Sequence, residues 1–322
     1  MGAVTGVLFN SASPSFVVPS KAASFLCCTE DGTIIGWNGS VPQGTQAQIM
    51  VDNSASGAVY KGCALGTIAN APALYAANFN AGTVDVWDGN LKKLTTVGGF
   101  ANATIPSGFA PFDIENIGGA LYVLYAKQSD KKHDEVAGVG NGYLATFDMK
   151  GNLIKNLIAT SVLNSPWGIA LAPSTFGQFA GALLVGNFGD GLIHAFNATS
   201  GGLLGTLTDT KSNPISLPGL WSLNFGNGGN GGDKATLYFT SGPGGPNGDP
   251  LESQGCLAAC KVPPRSSPAA FLTARVFLPR SRRISTLALN GTGNVDVPVQ
   301  IEAAGAQTQA NVVISVAAPT TT

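Results

Sequence analysis

The chain of 322 residues is long enough for one large domain or two ordinary ones, and its 44% hydrophobic content can build a substantial core. Only 11% of residues are charged and the net charge is −1, which argues against nucleic acid or an anionic membrane as a partner. No run of 18 apolar residues is present to span a bilayer, the opening MGAVTGVLFN does not read as a signal peptide, and 43 Gly suit a turn-rich all-β chain.

In chain order, the first group of alternating segments is TGVLFN (5–10), SFLCCT (24–29), GTIIGW (32–37) and AQIMVDN (47–53). The second is YKGCALG, ALYAAN, GTVDVW and LKKLTT, spanning 60–96. The third, spanning 110–159, is APFDIEN, ALYVLY, GYLATF and LIKNLIA. The fourth, spanning 166–209, is PWGIALA, ALLVGN, LIHAFN and LLGTLTD. GLWSLNF (219–225) and TLYFTS (236–241) begin a fifth. Each alternation predicts a half-buried strand.

The aromatic that ends each third segment is Trp37, Trp87, Phe147 and Phe196, at spacings of 50, 60 and 49 residues. Four strands repeating at this period predict an all-β propeller: five repeats of a six-bladed type, four of them complete. One blade cannot bury both of its faces, so the unit must recur and stack. Asp31-Gly32, Asn141-Gly142 and Asp190-Gly191 fall between second and third strands, where tight turns call for positive φ. The aromatic is expected to fill the wedge between neighbouring blades.

Composition shifts abruptly near residue 256. All five Arg lie between 265 and 283, and residues 1–260 carry 11 Lys against 16 acids, whereas 261–322 carry six basic residues against two acidic. The expected organisation is a propeller over 1–255, an Arg- and Pro-rich connector over 256–283, and a β-rich tail over 284–322. Cys27, Cys28, Cys63, Cys256 and Cys260 are odd in number and read as free thiols rather than a disulfide framework. The two His exclude a multi-histidine metal centre within one chain.

The stretch 166–201 resembles the repeat of NHL and gluconolactonase-type propellers. CTEDGTIIGW, VDNSASGAVYKGCALG, LYAANFNAGTVDV, KHDEVAGVGNGYL and LLVGNFGDG resemble a family of exported bacterial propellers of uncharacterised function. The resemblance covers about residues 5–255 and implies a secreted or cell-surface protein. Members usually begin with a secretion signal and a further blade, and carry a His where this chain has Gln254. Residues 294–317 are similar to the closing strands of a bacterial immunoglobulin-like module.

In a propeller, the turns between second and third strands share one face with the connections between blades. Those turns bring Glu30, Asn78, Asn80, Asn187 and Asp190 as candidate ligand-binding residues. The third blade carries an insertion there, KQSDKKHDEVAGVGN (127–141), about ten residues longer than its equivalents and rich in charge. It is expected to form a lid beside the channel mouth. It contributes His133 and Asp134 as candidate catalytic residues and Glu135 as a further ligand-binding residue. Asp113 and Asn116 lie on an inner strand, where polar side chains can line the channel; His194 lies mid-strand and reads as structural. GNGGNGG (226–232) lacks the Lys-Ser/Thr of a phosphate loop and reads as a hairpin loop.

Two functions follow as expectations. One is a propeller that presents a face to a small molecule, a glycan or a protein. The alternative is a hydrolase of the lactonase or esterase type, in which one divalent cation such as Ca2+, held by Glu30, Asn78, Asp113 and Asn187, polarises a carbonyl and activates water.

Overall fold

The computed structural model describes residues 3–40, 46–159, 161–209, 211–229 and 231–242, and the backbone of 256–261, 293–303 and 306–316. Four four-stranded antiparallel sheets follow one another, each built from strands in sequence order. Blade one comprises Val4–Phe9, Phe25–Thr29, Thr33–Trp37 and Gln48–Asp52. Blade two comprises Tyr60–Ile68, Ala71–Asn78, Thr83–Asp88 and Lys93–Leu94. Blade three comprises Phe109–Ile117, Ala120–Lys127, Gly142–Phe147 and Leu153–Ile158, and blade four Pro166–Leu171, Ala182–Asn187, Ile193–Asn197 and Leu203–Thr206. A three-stranded fifth sheet orders Leu220–Phe225, Thr236–Ser241 and Cys256–Lys261. The protein is a β-propeller.

The fifth sheet runs past the expected boundary. Cys256–Lys261 pairs with Thr236–Ser241, from Ser241↔Cys256 to Thr236↔Lys261, so these residues belong to the blade rather than to a connector. The rest of the expected connector lies outside the described residues. In the tail, Gly293–Ala303 and Ala306–Val316 form an antiparallel hairpin.

Four apolar clusters fill the four blade-to-blade interfaces, and the third-strand aromatics explain their spacing. Trp87 packs among Leu26, Ile34 and Tyr60 between blades one and two. Phe147 packs with Tyr75, Val86 and Ile114 between blades two and three, and Phe196 with Leu124, Leu144 and Leu183 between blades three and four. The fourth cluster joins Leu184 and Ile193 to Leu220, Leu223 and Leu237. Trp87, Phe147 and Phe196 thus wedge against the preceding blade, and burying such a ring contributes about 1.5–3 kcal/mol. Trp37 belongs to blade one and is half-buried, tilted against Phe25 at 6.0 Å. Val7 and Phe9 of the same blade are 62% and 67% exposed.

Gly32 and Gly191 adopt φ of +79° and +72°, as the Asp-Gly turns require. Gly142 does not. The insertion moves the positive φ to Gly140 (+86°), and Gly142 becomes the first residue of its strand.

Candidate functional site at the channel mouth

The inner strands Phe109–Ile117, Pro166–Leu171 and Leu220–Phe225, with the residues that follow the second strands of blades two and four, bring an aromatic group to the axis. Phe79, Phe112, Trp167 and Phe188 are buried together with Val59, Ala110 and Ala126, and Trp221 packs against them. The ring centroids of Phe112 and Trp167 are 4.6 Å apart, those of Phe79 and Phe112 5.2 Å, and those of Trp167 and Trp221 6.2 Å. The upper channel is therefore plugged by hydrocarbon rather than lined by amides.

Phe79 and Phe188 directly follow Asn78 and Asn187, and this fixes what the two amides do. Asn78 Oδ1 accepts from the backbone N–H of Val59 (3.3 Å) and Ala81 (3.2 Å), and its Nδ2 donates to Asp85 Oδ2 (3.0 Å). Asn187 Oδ1 accepts from Asn164 N–H (3.1 Å), while Nδ2 donates to the Val162 carbonyl (2.8 Å). Asp190 accepts from Leu192 N–H (3.0 Å) and from Asn164 Nδ2 (3.2 Å). These three residues hold turns and blade connections together, and their acceptors are spent on the protein's own N–H groups. Asn116 is engaged likewise, with Nδ2 on the Leu65 carbonyl at 2.8 Å.

The charged residues gather elsewhere at the mouth. Lys61, on the inner strand of blade two, is fully buried and bonded to Glu30 Oε1 from the turn of blade one, itself 8% exposed. The ammonium also sits 6.0 Å from the centroid of Phe112, over the aromatic plug. A buried ion pair is costly to desolvate and is retained only with good geometry.

The insertion folds inward over this pair. It doubles back on the end of the second strand, with Gln128 bridged to Glu135 and Val136 N–H on the Lys127 carbonyl at 2.8 Å. Its tip is turned by Ser129 N–H on the Asp134 carbonyl (2.8 Å) and Lys132 N–H on the Ser129 carbonyl (2.9 Å). Gln128 Nε2 donates to the carbonyls of Phe79 (2.5 Å) and Asn80 (3.4 Å) of blade two, and Gly138 N–H donates to Asn164 Oδ1 (2.6 Å) beside blade four. The insertion is thus tied to both neighbouring blades across the opening.

These ties bring His133 and Asp134 to Glu30. One potential donor atom from each of the three lies within 4.8 Å of the others, and among the described residues no other cluster of three or more His, Cys, Asp or Glu is so compact. His133 Nδ1 is 2.7 Å from Asp134 Oδ1, an arrangement that fixes the imidazole and leaves Nε2 for a ligand. Burial pushes the Glu135 carboxyl above its usual range; Asp134 and Glu30 add to this and Lys61 opposes it.

The expected cation site of Glu30, Asn78, Asp113 and Asn187 does not fit the structure. Both amide oxygens are engaged as described, and Asp113 lies on the wall of a cavity below the plug, with Cys63 and Glu115. That cavity, about 480 Å3, runs between the inner strands of blades one and five. Burial, with Glu115 alongside, raises Asp113 well above the usual carboxylate range, and burial lifts Glu115 to about 7. His194 is buried mid-strand with Nδ1 2.9 Å from Thr206 Oγ1, and burial lowers its pKa.

Glu115 imposes a pH dependence. Its folded-state pKa lies above the ordinary value of 4.5, so the folded state holds a proton that the unfolded chain releases. The stability contributed by Glu115 should therefore fall as pH rises from about 4.5 to about 7 and then level off, and Asp113, shifted in the same direction, adds a loss of the same sign. Glu115 is only partly buried, so solvent screens part of the effect, leaving on the order of 1–2 kcal/mol. Glu115→Gln should flatten the slope of urea midpoint against pH in that window; an unchanged slope would assign it to other groups.

No family model matches the sequence. An uncharacterised protein of Acanthamoeba polyphaga mimivirus is 32% identical over 210 residues, covering 63% of this chain and 51% of the viral protein. A second protein of the same virus is also 32% identical over 210 residues, with 54% of its length covered. The chain thus spans about half the length of these curated relatives. Among solved structures, the calcium-binding protein regucalcin from Agrobacterium tumefaciens superposes with a TM-score of 0.49 and 12% identity, covering 81% of this chain and 71% of that one. A chain of a nidogen/laminin complex gives a TM-score of 0.48 at 13% identity, covering 80% and 76%.

Proposed function

We propose that this propeller binds a ligand at its channel mouth, in the charged cluster of Glu30, Lys61, His133, Asp134 and Glu135. The observation that carries the reading is the convergence of Glu30, His133 and Asp134 from two separate blades under an insertion tied down on both sides. Pockets of this kind converge a few polar groups on an otherwise apolar frame. Here the floor is aromatic, one buried ammonium is already neutralised by Glu30, and the remaining carboxylates and imidazole favour a hydroxyl-rich or cationic group. A small polar molecule or a glycan suits that chemistry, and a protein could present the same groups on a side chain. The same proposal includes a site of action outside the cell or at its surface, a reading supported by the sequence resemblance to exported propellers.

A second reading follows from the same convergence. One imidazole nitrogen and two carboxylates make a donor set for a divalent cation, which would polarise a carbonyl for hydrolysis of a lactone or ester. In that case the cation sits over Glu30, His133 and Asp134, rather than in the channel.

Both readings meet one test. The His133→Ala/Asp134→Ala double variant should lose at least tenfold in affinity for whichever sugar, amine or divalent cation binds the wild-type protein by calorimetry. Its melting temperature should stay nearly unchanged, since the two side chains are 46% and 59% exposed. Metal retention and lactone hydrolysis, measured in parallel, separate the readings. A variant that binds like wild type would reduce the insertion to a solvated loop.

A further inference from the structure

Below the plug, two thiols from different blades meet. Cys28 lies on the second strand of blade one and Cys63 on the inner strand of blade two, and both are buried. Gly6 faces Cys28 across the sheet, and a methyl group placed on it would sit 2.7 Å from Cys28 Sγ and 2.9 Å from Cys63 Sγ. Both sulfurs thus crowd the same point, which only glycine leaves open. Cys27 points to the opposite face of its strand and takes no part. Cys63 and Gly6 also line the axial cavity of about 480 Å3, so a small reagent there reaches Cys63 directly.

We propose that Cys28 and Cys63 are a redox modification site: they form a disulfide between blades one and two by exchange with a small-molecule disulfide that enters the axial cavity. The Cys63 thiolate attacks one sulfur of the reagent, breaking its S–S bond, forming a mixed disulfide and expelling one thiolate. The Cys28 thiolate then attacks Cys63 Sγ, forming the Cys28–Cys63 bond and expelling the second thiolate. The two protons given up by the cysteines end on the two released thiols. The protein is oxidised by two electrons and the reagent is reduced by two. The sulfurs need only close to the bonding distance of about 2 Å.

Two features set the rate. The contact with Cys28, and then burial, hold the Cys63 thiol well above its usual range. The thiolate is therefore scarce at neutral pH, and oxidation quickens as pH rises. The cavity beside Cys63, about 480 Å3, has room for a compact mixed disulfide.

The test uses the full chain with 2-hydroxyethyl disulfide at mildly alkaline pH, followed by denaturation, alkylation and peptide mapping. The expected result is a peptide pair linked through Cys28 and Cys63, with Cys27 still alkylated. The oxidised protein should melt several degrees above the reduced form, because the link constrains the unfolded chain. Cys28→Ser should halt the sequence at a mixed disulfide on Cys63. Full alkylation of Cys28 and Cys63 in wild-type protein after prolonged oxidation would overturn the proposal, as would a stable mixed disulfide with Cys28 still free. The wild-type map decides even if the variant fails to fold.

Discussion

Replacing Lys61 with Met is expected to lower stability by about 3–5 kcal/mol. The loss comes less from the missing contact than from Glu30, left 8% exposed with no cation beside it. The carboxylate must then ionise in a poor solvent or take up a proton, and either outcome costs stability. Removing both charges, as in Lys61→Met/Glu30→Leu, should recover most of the loss, because neither desolvation penalty remains. Urea unfolding of the two single variants and the double variant, read as a double-mutant cycle, checks this. A Lys61→Met loss below about 1 kcal/mol would mean that water reaches Glu30 freely and that the pair is not sealed by the insertion.

Phe112→Ala should cost a similar amount, about 3–5 kcal/mol, for a different reason. The ring touches Phe79, Trp167 and Phe188 at centroid separations of 5.2, 4.6 and 6.5 Å, so its loss leaves a void that rigid neighbours cannot fill. The void would also open beneath the Lys61 ammonium, which sits 6.0 Å from the Phe112 ring centroid. Phe112→Leu should be milder because it keeps most of the volume. Thermal melts of both variants, with Trp emission followed in parallel, supply the measurement. A loss under 1 kcal/mol for Phe112→Ala would show that the other rings close over the gap.

The repeat was readable because it is local. Alternation over five or six residues and a recurring aromatic need no knowledge of distant contacts, and blades one to four follow them closely. Trp87, Phe147 and Phe196 occupy the wedges that their spacing implied. The site was harder to read, because it depends on which way a turn aims its residues. The sequence drew attention to Asn78 and Asn187 as polar groups on the ligand-facing side, yet an Asn that opens a turn is claimed by nearby N–H groups. The next residue, Phe79 or Phe188, is the one that reaches the axis. No repeat motif marks Lys61. Its signal was a single charge inside the apolar inner strand YKGCALG, where a cation must find a partner. The length and charge of the insertion marked it correctly as unusual, but the approach of His133 and Asp134 to Glu30 depends on ties to Phe79 and Asn164 that no local pattern reveals.

Sequential strand order has a consequence for how the molecule is made. Within each of the four complete blades, hydrogen bonds join strands that follow one another in the chain, apart from the small ribbon Val17–Val18/Lys21–Ala22 set between the first two strands of blade one. No pairing among the described blades waits for a distant part of the polypeptide, so loop-closure entropy at each step is modest. A nascent chain can complete one blade while the next is still being synthesised. Each finished sheet then offers its apolar face as a template for the blade that follows. Assembly of this kind runs in the direction of translation, and an error in one blade halts growth there without undoing the blades already stacked.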